Sequence, residues 1–359
     1  LADPDRLHKL LGVYQSPQCD RVFRRGLARY LRAVCGWALR EENIAVCNGS
    51  QSAFFLLFNM LAGAMPDGSQ RRIHLPVAPE YMGYAGVGLS EGMFSATRPT
   101  IERLEDNLFK YHVDFSGLHP GDEVGALCVS RPTNPTGNVL TDEEIEHLDA
   151  IARRADIPLL IDGAYGLPFP AIQFEPATPH WNANTILVLS LSKLGLPGVR
   201  TGVIVAREDI VAAFTRANTV ASLASGTLGP ALATSLLASG DMHALSHDHV
   251  APFYRKRAGE ALTLLRGELE GLPFHVHKPE GAIFLWLWLE GLPVTSRELY
   301  RRLKERGVLV VPGDEFFVGL QDDWPHRDEC IRISYAQPPE QVARGIALIG
   351  EEVRRAFDR

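Results

Sequence analysis

The sequence predicts an α/β protein: a large domain with a mostly parallel sheet flanked by helices, followed by a smaller α+β domain. From residue 44 onward, short apolar segments typical of buried strands alternate with helix-like segments. Between residues 125 and 161, a strand, a capped helix and a second strand follow one another, which is the usual right-handed unit of a parallel sheet. Beyond about residue 241, longer charged helices separate isolated strands, which favours a second, smaller domain.

Local patterns predict each element of the large domain. Thr141 and Glu144 have the spacing of a capping box, and the helix that they start keeps Ile145 and Leu148 on one apolar face. A strongly apolar helix is expected at 53–63. Strands are expected at residues 44–47, 73–77, 125–130, 157–161, 185–189 and 200–206.

The C-terminal part shows the same signals in a different order. A long helix is expected at 252–269, a second capping box lies at Thr295 and Glu298, and a last helix carries Val342 and Ile346 on its apolar face. Strands are expected at residues 281–289, 308–311 and 331–335. We therefore divide the chain into an N-terminal segment (1–40) that packs with the small domain, a large cofactor-binding domain (41–240) and a small C-terminal domain (241–359).

Composition and charge exclude several classes of function. Apolar residues make up 46% and charged residues 22% of the 359 residues, as in ordinary globular proteins. The formal net charge is −7 without any block of like charge, so we expect neither nucleic acid nor a membrane as a partner. No apolar run approaches the ~20 residues needed to cross a bilayer. The five cysteines are widely spaced, which favours a reducing, cytoplasmic location.

The most informative segment is the glycine-rich loop at 190–203, which follows the strand at 185–189. It combines Lys193 with the hydroxyls of Ser190 and Ser192 and the guanidinium of Arg200. A lysine amine in a site that disfavours its charge can form a Schiff base with a carbonyl, and an arginine fork suits phosphate oxygens. Open α/β sheets bind their ligands at such strand ends. The loop therefore predicts an aldehyde cofactor that carries a phosphate, whereas an ordinary solvated lysine explains less of the pattern.

Polar residues also follow two other strands of the predicted sheet. Asn134 comes after the strand at 125–130, and Asp162 and Tyr165 come after the strand at 157–161. We expect these side chains to converge with Lys193 at one edge of the sheet. Taken singly, each segment also fits an ordinary turn. A carboxylate buried at a strand end needs a cationic partner, however, and a protonated pyridine nitrogen would supply one to Asp162.

The order of the motifs resembles a known family, the class I/II aminotransferases of the fold type I pyridoxal-phosphate enzymes, over essentially the whole chain. The matching motifs are Asn-Gly-Ser-Gln at 48–51, Pro-x-Tyr at 79–81, Asn-Pro-Thr-Gly at 134–137, Asp-x-Ala-Tyr at 162–165, the lysine loop and Ile-Arg-Ile-Ser at 331–334. A narrower set resembles the valine–pyruvate branch of that family, at residues 48–55, 78–81, 109–115, 192–198 and 278–288.

The resemblance implies pyridoxal 5′-phosphate as the cofactor and a role for each matching residue. Lys193 would form the Schiff base and then carry a proton between substrate and cofactor, while Asp162 keeps the pyridine nitrogen protonated. Asn134 and Tyr165 would bond the phenolic oxygen, and Tyr81 would stack on the ring. The phosphate would be held at the start of the apolar helix and in the lysine loop, by Gly49, Ser50, Gln51, Ser190, Ser192 and Arg200.

The resemblance implies a substrate site as well. Arg332 would bind the substrate α-carboxylate, and an ion pair with Glu329 is the alternative for this arginine. Asn134 and Phe284 would contribute to the same pocket. Members of this family form homodimers. Tyr14 resembles a tyrosine that, in these dimers, reaches the cofactor phosphate of the neighbouring subunit.

The function implied by the resemblance is ping-pong transamination between a small aliphatic amino acid and a 2-oxo acid. Valine with 2-oxoisovalerate and alanine with pyruvate are the expected pairs. Another reaction on the same cofactor, such as a β-lyase or decarboxylase reaction, is the alternative. A non-catalytic regulator that binds the cofactor is disfavoured, because the chain has neither a basic patch nor spare length. No metal site is expected, since His243, His247 and His249 have no partner at ligand spacing.

Overall fold

The structure is a computed structural model that describes residues 4–358, except for the side chain of Arg6. Its strands form two sheets with helices packed against them, which confirms the predicted α/β class. In chain order the strands are β1 (Ile44–Cys47), β2 (Gly63–Ala64), β3 (Gln70–Leu75), β4 (Phe94–Ala96), β5 (Thr100–Arg103), β6 (Leu108–His112), β7 (Val124–Ser130), β8 (Leu159–Asp162), β9 (Thr185–Ser190), β10 (Gly202–Val205), β11 (Phe274–His277), β12 (Phe284–Leu289), β13 (Val311–Pro312) and β14 (Cys330–Ser334).

The first sheet has the strand order β1-β10-β9-β8-β7-β3-β2, with β4 beside β3. Its centre is parallel, since β7, β8 and β9 run in the same direction and β7 is also parallel to β3. At the edges, β10 is antiparallel to both β1 and β9, and β2 is antiparallel to β3. The sheet is therefore mixed, because β10 returns directly after the lysine loop without the long crossover that a parallel neighbour requires.

The second sheet has the order β13-β14-β12-β11-β6-β5 and is antiparallel except where β6 runs alongside β11. It includes the hairpin of β5 and β6, which lies within the range 41–240 that we predicted as the large domain. The hairpin turns at Asp106 and Asn107, two residue types that tolerate the positive φ found there. Phe109 and Tyr111 of β6 are buried against the C-terminal strands. The domain boundaries near residues 41 and 240 stay a prediction.

The helices pack on both faces of the first sheet and around the second. In chain order they are α1 (Pro4–Gly12), α2 (Arg21–Cys35), α3 (Ser50–Leu61), α4 (Asp142–Arg154), α5 (Glu208–Ser222), α6 (Leu228–Ser239), α7 (Asp241–Ala244), α8 (Ala251–Glu268), α9 (Ser296–Glu305) and α10 (Pro339–Phe357). Alternate residues of β7 show the two faces: Leu127 packs in one apolar cluster with residues of α2 and α4, and Ala126 packs in another with residues of α3 and α5. No helix within residues 4–358 is both long and apolar enough to cross a membrane.

Helix α2 is the main packed element of the N-terminal segment. The Asp20 side chain accepts a hydrogen bond from Val22 N at 2.9 Å, and α2 ends at Gly36 with φ 70°. Its buried residues include Phe23 and Leu27. This apolar face packs mainly against α6 and also contacts β1, both within the range predicted as the large domain. The predicted packing of the N-terminal segment with the small domain stays a prediction, as do the domain boundaries.

The capping box at the start of α4 is confirmed and has a second role. Thr141 accepts a hydrogen bond from Glu144 N at 3.1 Å, and Glu144 accepts one from Thr141 N at 2.8 Å. Glu144 also accepts a hydrogen bond from Val113 N at 3.0 Å, directly after β6. Glu144 therefore connects α4, which packs on the first sheet, to the end of β6, a strand of the second sheet.

We expect Gly125→Ala to destabilise the protein, because Gly125 lies in the fully buried strand β7. A Cβ at this position would lie 1.8 Å from the carbonyl oxygen of Leu61, so backbone must move, at a cost of about 1–3 kcal/mol. Gly117→Ala is the control, because a Cβ there meets nothing within 4 Å. Urea unfolding of the two variants measures the effect. Equal midpoints for both variants would contradict the packing described for β7.

Candidate active site

A cleft of about 590 Å³ lies where the carboxyl ends of β7, β8 and β9 meet residues of β12 and β14. A second cavity of similar volume, beside Arg306 and α10, contains none of the predicted site residues. The first cleft brings together twelve of the fourteen residues predicted from the sequence: Ser50, Gln51, Tyr81, Asn134, Asp162, Tyr165, Ser190, Ser192, Lys193, Arg200, Phe284 and Arg332.

Asp162 is the last residue of β8, and its carboxyl group is buried at the floor of the cleft. Its Oδ2 accepts a hydrogen bond from the Tyr84 hydroxyl at 2.9 Å, and its Oδ1 accepts one from Ala164 N at 2.9 Å. Burial raises the pKa of Asp162 to about 6, although these two donors and the positive charge of Lys193 oppose the rise. The carboxylate forms no ion pair with any residue in the described range, so a cation from a ligand can bind there.

Lys193 lies in a short 3₁₀ turn, Ser192–Leu194, that follows β9. Its amine is 5.4 Å from the centre of the Tyr165 ring. Burial lowers the pKa of Lys193, and the positive charges of Arg332 and Arg200 lower it further, while Asp162 opposes them. A lowered pKa increases the fraction of neutral amine, which is the form that attacks a carbonyl or accepts a proton.

The start of α3 and the guanidinium of Arg200 form an anion-binding end of the cleft. The first amides of α3 have no partner within the helix, and the helix begins at Ser50 directly after Gly49. A Cβ on Gly49 would lie 2.4 Å from Nη2 of Arg200, and Gly49 has φ 97°, a conformation that favours glycine. Among residues 4–358, the Arg200 side chain forms no hydrogen bond or ion pair. An anion bound here would therefore complete the site.

Ser190 and Gln51 are already held by protein contacts at this end. Ser190 is the last residue of β9, and its hydroxyl accepts a hydrogen bond from Ser192 N at 3.1 Å. The Gln51 side chain donates to the carbonyl oxygen of Gly83 at 3.0 Å. These contacts leave the backbone amide of Gln51 and the hydroxyl hydrogen of Ser190 available to a ligand.

Arg332 lies on β14 at the opposite end of the cleft, between two aromatic rings. Its guanidinium is 4.3 Å from the ring centre of Phe284 and 5.2 Å from that of Phe316. Its Nη1 donates to Asn134 Oδ1 at 2.8 Å. The alternative ion pair with Glu329 is wrong, because Glu329 instead accepts hydrogen bonds from Trp288 Nε1 and the amide at residue 291.

Two tyrosines form walls of the cleft near Lys193. Tyr165 packs edge-on against Phe284, with ring centres 5.8 Å apart. Tyr81 packs over Gly83, where a Cβ would lie 2.4 Å from its ring, and meets Tyr84 edge-on at 5.4 Å. Tyr81 is thus held in a fixed orientation by a glycine on one side and a buried tyrosine on the other.

Sequence reasoning assigned no role to three buried polar residues beneath the cleft: Glu80, Ser130 and Tyr84. Tyr84 bonds Asp162, and its hydroxyl lies 3.3 Å from Ser130 Oγ. Ser130 in turn bonds the carboxyl group of Glu80. A usable signal existed in the sequence, since Glu80 is the middle residue of the Pro-x-Tyr motif, Tyr84 follows that motif three residues later and Ser130 ends an otherwise apolar strand.

Two predicted residues do not line the cleft. Gly49 lies behind Arg200, as described above. Tyr14 lies between α1 and α2, is 83% exposed and is not among the described residues that line the cleft. His243 and His247 lie with ring centres 4.2 Å apart, but among the described residues no three metal-ligating side chains are grouped closely enough to hold an ion.

Comparison with known proteins identifies the family. The sequence profile described as "Aminotransferase class I and II" matches residues 3–349. The chain is 51% identical to the valine–pyruvate aminotransferase of Escherichia coli (strain K12) over 344 residues, 96% of this chain and 82% of that protein. The crystal structure of valine-pyruvate aminotransferase from Salmonella typhimurium LT2 superposes with a TM-score of 0.92 at 46% identity, over 99% of this chain and 89% of that one. The crystal structure of a putative amino-acid aminotransferase from Psychrobacter arcticum 273-4 superposes with a TM-score of 0.97 at 45% identity, over 100% of this chain and 85% of that one.

The chain therefore belongs to the class I and II aminotransferases and has the fold type I architecture of this family. Its cofactor is pyridoxal 5′-phosphate. The charges of the cleft fit this molecule. The phosphate matches the guanidinium of Arg200 and the pyridine nitrogen matches the carboxylate of Asp162, neither of which forms an ion pair with a residue that the structure describes. The Lys193 amine lines the same cleft and fits the aldehyde, because its lowered pKa increases the fraction of neutral amine.

We expect Gly49→Ala to weaken cofactor binding by about tenfold or more, because the new Cβ displaces Arg200 and the backbone conformation is strained. Gly198→Ala is the control from the lysine loop, since a Cβ there meets nothing within 4 Å. Titration of the two apo-proteins with pyridoxal 5′-phosphate, followed by visible absorbance, gives both dissociation constants. If the two variants bind alike, Gly49 does not shape the anion-binding end.

Proposed function

We propose that this aminotransferase exchanges amino groups between small aliphatic amino acids and their 2-oxo acids, with valine/2-oxoisovalerate and alanine/pyruvate as its pairs. The observation that carries the proposal is the charge of the cleft. Within the described residues, its cationic lining consists of Lys193, Arg200 and Arg332. With Arg200 at the phosphate and Lys193 at the aldehyde, one arginine is left, which matches a single substrate carboxylate.

Arg332 is proposed to hold the substrate α-carboxylate. Asn134 Oδ1 accepts from one of its nitrogens, and the Phe284 and Phe316 rings cover its faces. The remaining N–H groups of the guanidinium can form a two-point contact with a carboxylate. Because Phe284 and Ile283 also line the cleft, the substrate side chain meets apolar groups, which suits valine and alanine better than a second carboxylate.

The proposed roles near the cofactor follow from the same geometry. Pyridoxal 5′-phosphate, when bound, supplies an electron-withdrawing ring that acidifies the hydrogen on the substrate α-carbon. Lys193 Nζ takes that proton and returns it, because its pKa is lowered and its amine can be neutral. Asp162 would accept a hydrogen bond from the protonated ring nitrogen. Tyr165 and Asn134 would bond the phenolic oxygen, and the Tyr81 ring would stack on the pyridine ring.

The phosphate is proposed to lie against the anion-binding end. The backbone amides of Ser50 and Gln51, the hydroxyls of Ser190 and Ser192 and the guanidinium of Arg200 would supply its donors. The Gly49 amide donates to the carbonyl oxygen of Cys47 at 2.9 Å, so Gly49 contributes by leaving room for Arg200. The positive end of the α3 dipole adds to the charge of Arg200.

A second copy of the chain is the proposed partner. Tyr14 is exposed, and so are the apolar side chains of Leu11 and Val220 and, less fully, Val13 and Leu223. Exposed apolar residues favour an interaction surface where they lie together in one patch. We propose a homodimer in which Tyr14 reaches the phosphate of the neighbouring subunit. The cytoplasm is the proposed location, since all five cysteines are free thiols.

A donor and acceptor matrix tests the proposed substrates. The purified holoenzyme is incubated with alanine, valine, aspartate or glutamate against pyruvate, 2-oxoisovalerate and 2-oxoglutarate. We expect product from valine with pyruvate and from alanine with 2-oxoisovalerate, because the substrate end carries one carboxylate-binding arginine. Exclusive use of glutamate and 2-oxoglutarate would overturn the assignment.

Two controls separate this reaction from the alternatives. Lys193→Ala should abolish turnover and the visible absorbance of the bound cofactor, because the amine is the proposed attachment and proton-transfer group. Incubation with a β-substituted amino acid and no 2-oxo acid tests the lyase reaction. Release of pyruvate and ammonia in that incubation would favour a lyase.

A further inference from the structure

Glu80 is a completely buried carboxyl group beneath the cofactor cleft, with 0% of its surface exposed. Its Oε1 accepts a hydrogen bond from Ser130 N at 2.7 Å, and its Oε2 lies 2.6 Å from the hydroxyl of Ser130 and 3.3 Å from Tyr81 N. It forms no ion pair with any lysine, arginine or histidine of the described range. Burying an ionised carboxylate without a cation is costly, and such groups usually keep their proton.

A chain of hydroxyl groups connects Glu80 to Asp162. The Ser130 hydroxyl lies 3.3 Å from that of Tyr84, and the Tyr84 hydroxyl donates to Asp162 Oδ2 at 2.9 Å. The register of the sheet makes this possible, because Ser130 of β7 lies directly opposite Asp162 of β8. The two carboxyl groups therefore occupy the two ends of one hydrogen-bonded chain.

A count of the available hydrogens favours a proton on Glu80. Tyr84 has one hydroxyl hydrogen, and Asp162 uses it. If Glu80 is ionised, Ser130 donates its only hydrogen to Glu80, so the contact between Ser130 and Tyr84 has none. If Glu80 is protonated, it donates to Ser130, Ser130 donates to Tyr84 and Tyr84 donates to Asp162. Each contact then has one hydrogen, and all the donors point towards Asp162.

The charges around the two carboxyl groups favour the same arrangement. Burial raises the pKa of Glu80 to about 8, and the negative charge of Asp162 adds to the rise. The other titratable groups that face Glu80 are the Tyr84 hydroxyl and the Cys128 thiol, which are neutral because burial raises the pKa of each. Asp162 differs because it has Ala164 N as a donor and the positive charge of Lys193 nearby. Of the two acids, Asp162 is the one that ionises first.

We propose that Glu80 is a positioning residue that stays protonated at neutral pH and starts a chain of donors, through Ser130 and Tyr84, that keeps Asp162 ionised. The effect on the cofactor ring rests on the role proposed above for Asp162. The position of the proton on Glu80 does not depend on that role or on the amino-acid substrate.

Glu80→Gln tests the position of the proton, because glutamine has the shape of the protonated acid and can make the same donor and acceptor contacts. In the wild type, the unfolded chain releases the Glu80 proton near pH 4.5 whereas the folded protein holds it up to a pH of about 8. Wild-type stability therefore falls relative to the variant as the pH rises through this window, by up to tenfold in the unfolding constant per pH unit. Thermal unfolding of both holoenzymes from pH 5 to pH 8 should show a difference that grows with pH. A constant difference would mean that Glu80 is already ionised.

Infrared spectroscopy of the holoenzyme at pH 7 observes the proton directly. A carboxylic-acid C=O stretching band should be present in the wild type, shift in heavy water and be missing in Glu80→Gln. Identical spectra in the carboxylic-acid region would overturn the proposal.

A matched pair of variants tests the link to the cofactor. Glu80→Leu removes the first donor of the chain, so we expect the affinity for pyridoxal 5′-phosphate to fall by about tenfold, as for the loss of one hydrogen bond. Glu80→Gln should restore most of this affinity, because the amide donates to Ser130. If glutamine binds the cofactor no better than leucine, the donor chain does not act on Asp162. A failed substrate assignment in the matrix above would leave all three results unchanged.

Discussion

The buried carboxylate of Asp162 is the constraint around which the site is arranged. It ends a strand whose four residues are all buried, where a negative charge without partners is costly. The protein supplies two hydrogen-bond donors and the nearby charge of Lys193, but no residue in the described range forms an ion pair with it. The carboxylate therefore has room for an opposite charge, which a cationic ring nitrogen would supply. The same charge helps Lys193 retain its proton, while Arg200 and Arg332 act in the opposite direction.

The cleft depends equally on the connection between the two sheets, because Asn134 follows a strand of the first and Arg332 belongs to the second. Lys110 of β6 and Glu280, between β11 and β12, form a buried ion pair on the side of the second sheet, near the loop that carries Asn134. Lys110 Nζ also donates to Asn138 Oδ1 at 2.8 Å and to the carbonyl oxygen of Val139 at 3.0 Å, and Glu280 accepts from Val139 N at 2.9 Å. These contacts fix the loop of the first sheet against the second, so that Asn134 can meet Arg332.

Much of the site could be predicted from the sequence because it is built at strand ends. Asp162 and Lys193 each follow an apolar segment, and parallel strands bring their carboxyl ends to one edge. The chain beneath them could not be predicted in the same way. Tyr84 and Ser130 are far apart in sequence, and only the loop after β3 brings the tyrosine under the end of β7. The pairing of the β5–β6 hairpin with the C-terminal strands could not be predicted for a similar reason, since Leu108 pairs with Val276 and no local pattern indicates such a distant partner.

The protonation state of the cofactor's ring nitrogen shows directly whether the buried Asp162 carboxylate faces a cationic ring. Nitrogen NMR of the holoenzyme prepared with pyridoxal 5′-phosphate labelled with ¹⁵N in the ring distinguishes a protonated nitrogen from a neutral one. We expect a protonated nitrogen in the wild type at neutral pH and loss of that proton in Asp162→Asn, because the buried carboxylate stabilises the charge. A neutral nitrogen in the wild type, or a protonated one that persists in Asp162→Asn, would show that Asp162 does not hold the ring in its cationic form.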